Sequence, residues 1–463
     1  MTFLLIFLPI LYLLYYPVKN AKWRNGVLVT FSLLFYGWGE PVWILAMLFS
    51  TLVNYVCARR ICALPEGGRR KICLTLGVIT SVIFLFWFKY AAFLFNAFAA
   101  LAGMERRMDP LGLPIGISFY TFQILTYTVD VYRGKAPVLK NPLKLLLYIS
   151  CFPQLIAGPI VQYADVADQL DERRISPDDF SFGVQRFSVG LAKKVLLANI
   201  CGGAMEELTL AGEGTMSLAG AWLAAFLYML QIYYDFSAYS DMAIGLGRTL
   251  GFTYKENFNF PYVSTSITEF WRRWHISLGS FFRDYVYIPL GGNRRGNVRT
   301  AFNMLVVWTL TGFWHGASWN FLLWGAYYGV LLLLERFVLK SFLEKTPRLF
   351  RWILTLFLVI LGWVLFYYED MACVMEHLGA MFGAEGTPLM DELTLAVLGK
   401  YTVLPLLAFV LSLPVVPKLK DFLSGRIPGI FPIIQSITAA SLLAASVVFL
   451  VGQTYNPFIY FRF

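Results

Sequence analysis

Apolar runs that reach or approach the roughly 20 residues needed to cross a bilayer as a helix recur from one end of this chain to the other. They cover residues 42–57, 72–101, 221–234, 320–334, 352–368 and 436–451, some of them completed by their neighbours. The composition agrees: 58% of the 463 residues are apolar and 14% are charged, where a soluble domain carries about 25% charged residues. We count about ten to twelve spanning or re-entrant segments on the helix length that the hydrocarbon requires. No polar stretch is long enough to fold as a separate soluble domain, so the expected fold is an all-α integral membrane protein, one multi-pass helical bundle over 1–463.

The start, residues 1–16, has neither the basic leader nor the small-residue cleavage site of a secretory signal and is expected to stay as the first membrane segment. The net charge of +10 fits cytoplasmic loops rather than nucleic-acid binding. Lys19, Lys22 and Arg24 follow the first hydrophobic run, and Arg59, Arg60, Arg69, Arg70 and Lys71 follow the third. An excess of Lys and Arg on the cytoplasmic side then places the N-terminus outside. The six cysteines are scattered with no CxxC spacing, so they read as small apolar fillers rather than as a disulfide framework or zinc site.

Three textures follow one another. Residues 1–101 are plain hydrophobic helices with short basic turns, suited to anchoring and packing. In residues 111–338 polar groups sit inside apolar runs, and glycine and proline interrupt the pattern. Gly112, Pro114 and Gly116 precede residues 118–123, and Pro153 with Gly158-Pro159 breaks residues 145–161. Irregular backbone at membrane depth survives only where protein or a water-filled cavity satisfies it, so a central funnel is expected here. Residues 350–463 return to plain spans and close on Asn456-Pro-Phe-Ile-Tyr-Phe-Arg-Phe463, an aromatic and basic tail suited to the membrane interface.

Ser266 followed by Glu269 has capping-box spacing and marks a helix start. On a wheel of about 100° per residue, Glu269, Arg272, Arg273, Ser280, Arg283 and Asp284 share one arc, with Ile276 intruding. Phe270, Trp271, Trp274, Leu278, Phe281, Phe282 and Tyr285 fill the other, and His275 projects between them. Such a helix is expected to lie in the membrane surface plane.

There are three histidines. His315 lies in an otherwise apolar or small run, 306–320, bracketed by Gly312 and Gly316, whose small size leaves room for a substrate. An ionisable group inside a membrane segment is a functional candidate by default; the alternative is a histidine hydrogen-bonded within the bundle. For His275 a merely amphipathic role is an equal reading. His377 reads as a surface or connecting-helix residue. A neutral imidazole, with an unperturbed pKa of about 6.5, can serve as general base toward a hydroxyl, and acyl transfer from a thioester needs little more than oxyanion donors. Trp314, Ser318, Trp319 and Asn320 carry such donors near His315. Asp235 and Asp241 read either as proton or ion ligands or as polar lining. Gly245-Leu-Gly-Arg-Thr-Leu-Gly251 lacks the glycine spacing and βαβ context of a dinucleotide site.

Several strings together resemble the membrane-bound O-acyltransferase superfamily in its bacterial alginate O-acetyltransferase branch. They are Phe152-Pro-Gln-Leu-Ile-Ala-Gly-Pro159, Asp235-Phe-Ser-Ala-Tyr-Ser-Asp-Met-Ala-Ile-Gly245, Asn257-Phe-Asn-Phe-Pro-Tyr262, Thr268-Glu-Phe-Trp-Arg-Arg-Trp-His-Ile-Ser-Leu278, Phe282-Arg-Asp-Tyr285, Pro289-Leu-Gly-Gly-Asn-Arg294, Phe313-Trp-His-Gly316 and Asn456-Pro-Phe-Ile-Tyr460. The resemblance implies that His315 is the catalytic histidine and His275 its companion. It also implies a funnel open to the cytoplasm, acetyl-coenzyme A as donor with no bound cofactor or metal, and an exported or cell-envelope polysaccharide as acceptor. A separate exported or membrane-anchored esterase-like transferase is the partner it suggests, and the bacterial inner membrane the location. The basic arc of Arg272, Arg273 and Arg283, with Asp284, Trp314 and Asn320, is expected at the donor site; lipid headgroups are an equal role for the arginines. D-alanyl transfer to teichoic acid, a transporter and a non-catalytic assembly subunit stay open. Against the transporter, the polar strings cluster once instead of repeating across two halves.

Overall fold

The computed structural model describes residues 1–210, 216–384, 386–452 and 458. Among them every regular element is helical. The six apolar runs fall on helices Ile44–Ala63, Gly68–Leu101, Leu218–Thr249, Trp319–Phe337, Arg348–Tyr367 and Phe431–Gly452. On Ile44–Ala63, Leu45, Phe49, Leu52 and Val56 are exposed at helical spacing, while Met47, Ser50, Thr51, Asn54 and Ala58 are buried. That apolar-out, polar-in pattern inverts a soluble helix and fits lipid outside.

Five described helices are long and apolar enough to cross a membrane, or six if the bent pair Glu392–Tyr401 and Val403–Leu411 is one span. The number is lower than the ten to twelve segments expected because length and hydropathy part company. Ala21–Gly39, Leu218–Thr249, Gly296–His315 and Trp319–Phe337 run 19 to 32 residues. Each buries polar side chains, such as Asn25 and Ser32, Asp235 and Asp241, Asn303 and His315, and Asn320. These helices reach a membrane's thickness while carrying the polar interior. The closing tail, residues 456–463, lies outside the described residues apart from Phe458.

The chain forms two compact units: Met1–Phe187 with Met242–Lys255, and Ser188–Asp241 with Glu256–Phe463. In the first, the fully buried Asn54 amide pins three helices. It donates to Ser81 Oγ (2.9 Å) and accepts from Thr128 Oγ1 (2.7 Å). Gly77 makes this possible, since a Cβ there would stand 2.8 Å from Asn54 Oδ1. The expected irregularity at 112–116 and 153–159 is present. Gly116 has φ +75° and packs on the Leu155 carbonyl, 2.9 Å from where its Cβ would lie.

In the second unit Asp235 and Asp241 meet cations: Lys194 Nζ lies 2.5 Å from Asp235 and Lys193 Nζ 2.6 Å from Asp241. Both lysines belong to a π-helical stretch, Lys193–Ala198. Deleting one member of so buried a pair typically costs about 3–5 kcal/mol, because the other charge stays desolvated. Helices Gly296–His315 and Trp319–Phe337 pack as a close hairpin. A Cβ on Gly312 would fall 2.3 Å from the Phe321 carbonyl oxygen, and one on Gly325 2.4 Å from that of Trp308. The room beside His315 is therefore taken up: Gly312 admits the neighbouring helix, and Gly316 lies against the Phe321 ring. These glycines serve helix packing rather than substrate approach.

Candidate active site

The helix start read at Ser266 is present. Ser266 Oγ accepts from Glu269 N–H (3.0 Å), and Glu269 Oε2 accepts from Thr265 N–H (2.9 Å). Glu335 of helix Trp319–Phe337 takes the N–H groups of Ile267 (2.5 Å) and Thr268 (2.9 Å), so a carboxylate completes the cap.

The helix does not continue to Tyr285 as expected. Ile267–Arg273 ends, Trp274 is extended (φ −102°, ψ 130°), His275 is left-handed (φ 46°, ψ 53°), and Ile276–Phe282 begins a new turn. An irregular stretch, 257–259, supplies the reason. Asn259 N–H donates to the Arg273 carbonyl and Ile276 N–H to the Asn257 carbonyl, both at 2.9 Å, satisfying groups that the break frees. A left-handed conformation costs a non-glycine residue roughly 1–2 kcal/mol, and strain of this kind at a functional side chain is a recognised signature of a site.

The aromatic arc packs against protein. Phe270, Trp274, Leu278, Phe281 and Phe282 are buried. Trp274 packs on Trp363 (4.8 Å between centroids) and Trp271 on Tyr328 (4.8 Å) and Trp308 (4.7 Å).

This packing leaves His275 2% and His315 4% exposed. His275 borders a cavity of about 210 Å³ together with Trp271, Gly279, Arg283, Tyr287, Trp308 and Thr311. Trp314 borders both imidazoles, its ring 6.0 Å from that of His275 and 4.8 Å from that of His315. His315 ends helix Gly296–His315 and is enclosed by Trp314, Trp324 (5.0 Å) and Phe366 (5.0 Å). It is not on the cavity wall. That wall includes Met304, Val307, Trp308 and Thr311 of the same helix, and His315 is the next residue at that spacing. His275 lies outside the spanning helices, and burial pushes its imidazole down to about 3, so it is neutral.

The membrane-bound O-acyltransferase family pattern matches residues 135–376, a stretch that contains both histidines and the cavity. The chain belongs to the membrane-bound O-acyltransferase family. Within it the alginate O-acetylase branch is the similar one. The "Probable alginate O-acetylase AlgI" of Azotobacter vinelandii is 38% identical over 100% of this chain and 99% of its own. The peptidoglycan O-acetyltransferase of Helicobacter pylori is 32% identical over 84% and 80%. The teichoic acid D-alanyltransferase of Bacillus subtilis is 26% identical over 52% and 62%. The chain is thus a multi-pass membrane O-acyltransferase.

In this acyltransferase the residues singled out from sequence separate. His275, Trp314 and His315 come together. Arg283 reaches the cavity and is paired with Asp284 (2.8 Å). Arg273 is held by Glu269 (2.9 Å), and Arg272 is exposed away from the cavity lining. Asn320 and Ser318 bond each other, and Trp319 is 59% exposed, so the donors nearest His315 reduce to Trp314. His377 does lie on a connecting helix, Met371–Met381, but is buried, with Nδ1 on Tyr368 OH (2.8 Å) and Nε2 on the Ala221 carbonyl (3.0 Å).

Two residues escaped the sequence reading. Trp271 was placed among apolar side chains, yet it lines the cavity with a buried indole Nε1 that has no hydrogen-bond partner among the described residues. Asn257, fully buried, meets His275 Nδ1 at 3.2 Å. Its string 257–262 is among those that carry the family resemblance, but a contact 18 residues along the chain leaves no local signal. Among the described residues no three His, Cys, Asp or Glu side chains converge as a metal site.

Proposed function

We propose that this acyltransferase moves an acetyl group from cytoplasmic acetyl-coenzyme A to a hydroxyl of an exported or cell-envelope polysaccharide, directly or through a separate esterase-like transferase. The observation that carries the reading is the His275–Trp314–His315 arrangement beside a cavity. Acetyl is favoured over D-alanyl because similarity to the proteins named as O-acetylating enzymes extends over 84–100% of the chain, against 52% for the D-alanyltransferase. Placement in the bacterial inner membrane with the N-terminus outside goes with this reading.

In the chemistry, the acceptor hydroxyl oxygen attacks the thioester carbonyl carbon. A carbon–oxygen bond forms and the carbon–sulfur bond breaks. The hydroxyl proton passes to the His315 imidazole and from there to the departing thiolate, giving free coenzyme A thiol and an acetyl ester. The Trp271 indole N–H, at the cavity wall, supplies a donor for the developing oxyanion. His315 is reached along the Met304–Thr311 stripe once the Trp314 ring swings aside. Arg283, at the cavity, attracts the anionic coenzyme.

The test is chemical analysis of the exported glycan from cells with and without the gene. Alkali-labile acetate that disappears on deletion and returns with the wild-type gene supports the proposal; an unchanged acetate content overturns it.

A further inference from the structure

We infer that Asn257 is a positioning residue that locks His275 in the tautomer with the proton on Nδ1, so that Nε2 carries the lone pair and cannot donate a hydrogen bond to the oxyanion. The inference rests on the catalytic reading above for its consequence but not for its geometry.

The assignment follows from a donor that has no alternative. The Ser277 backbone N–H can only donate, and it lies 3.1 Å from one terminal atom of the Asn257 side chain, which must therefore be the amide oxygen. The reverse amide would set a donor against that N–H. The other terminal atom is then the NH₂ group, and it finds an acceptor in Ser240 Oγ at 3.2 Å. With the amide fixed, the oxygen 3.2 Å from His275 Nδ1 requires a proton on that nitrogen, since two lone pairs facing each other at that distance repel. Ser277 Oγ offers itself to the same Nδ1 only at 3.5 Å, while it donates to the Asn257 oxygen at 2.9 Å. The backbone agrees with this clamp. The Asn257 carbonyl takes the Ile276 N–H at 2.9 Å, so one residue holds both the left-handed turn and the ring that it presents.

The molecule carries its own control. His377 Nε2 faces the Ala221 carbonyl, which can only accept, so its proton sits on Nε2 and its Nδ1 accepts from Tyr368 OH. His275 and His377 are held as opposite tautomers.

The test is solid-state NMR of the full chain in lipid with nitrogen-labelled histidine, the three side chains being assigned by single glutamine substitutions. We expect a protonated Nδ1 and unprotonated Nε2 for His275, and the reverse for His377. A protonated Nε2 on His275 in the wild-type protein overturns the inference, with no variant needed. Asn257→Leu is expected to mix the His275 tautomers and lower kcat at least tenfold with KM for acetyl-coenzyme A little changed, and Asn257→Asp, which keeps the acceptor oxygen, to restore both. Equal loss in the two variants with the tautomer undisturbed also counts against it. If His275→Gln and His315→Gln transfer acetyl normally while the tautomers are as stated, the catalytic reading fails and the lock stands.

Discussion

His275 and His377 belong to the same unit of the protein, and both are almost wholly buried, yet they sit in opposite kinds of surroundings. His377 lies in a regular helix with each ring nitrogen bonded to one nearby group, Tyr368 OH and the Ala221 carbonyl. His275 lies in a left-handed break between two short helices, against a cavity, with Asn257 on one edge and the Trp314 ring 6.0 Å away. Burial pushes both imidazoles down, to about 3 and about 4. Desolvation therefore does not distinguish them. Backbone strain next to open space does, because a left-handed non-glycine residue must be held by its surroundings, and strain of this kind clusters at functional sites.

That contrast can be broken at several points. His275→Ala should lower acetyl transfer by about 10²-fold or more, the usual contribution of a proton-handling side chain, as read from turnover of labelled donor; activity within a few fold of wild type would put His275 in the same class as His377. His377→Leu should do the reverse. It strands the Tyr368 hydroxyl and removes a second donor from the Ala221 carbonyl, so stability in lipid should fall by about 1–3 kcal/mol while turnover per folded molecule stays the same. A smaller effect sharpens the strain argument: His275→Gly should be about 1 kcal/mol more stable than His275→Ala, because only glycine adopts φ +46° freely. Equal melting of the two would remove strain from the account. The least effect expected is on pH. An imidazole whose pKa is lower folded than unfolded destabilises the fold once the unfolded state takes up its proton. Stability should be flat above pH ~6.5 and fall below it, and His377→Leu should flatten part of the slope.

Much of this architecture is legible in the sequence because lipid imposes a simple rule. Runs such as 352–368 and 436–451 announce themselves by composition, and the observed helices Arg348–Tyr367 and Phe431–Gly452 lie on them. Ser266 and Glu269 announce a helix start because capping chemistry is local. The break at Trp274 and His275 is invisible for the same reason inverted. A helical wheel presumes continuous geometry, whereas the turn is fixed by residues 257–259 approaching from elsewhere in the chain. Gly312 and Gly316 misled in a related way, since a small residue looks the same in sequence whether it admits a substrate or a neighbouring helix. His315 was findable because an ionisable side chain in an apolar run is rare. Asn257 was not, because an amide gains meaning only from the donors placed around it.

The central claim is that the His315 imidazole, at the end of the helix whose face lines the cavity, takes the acceptor's proton during acyl transfer. Purified wild-type protein and His315→Ala, reconstituted in lipid and given labelled acetyl-coenzyme A with an acceptor glycan, test it directly. The account predicts labelled ester from the wild type and a loss of about 10²–10⁴-fold in the variant, with its fold and acetyl-coenzyme A binding retained. Undiminished labelled ester from His315→Ala would contradict it.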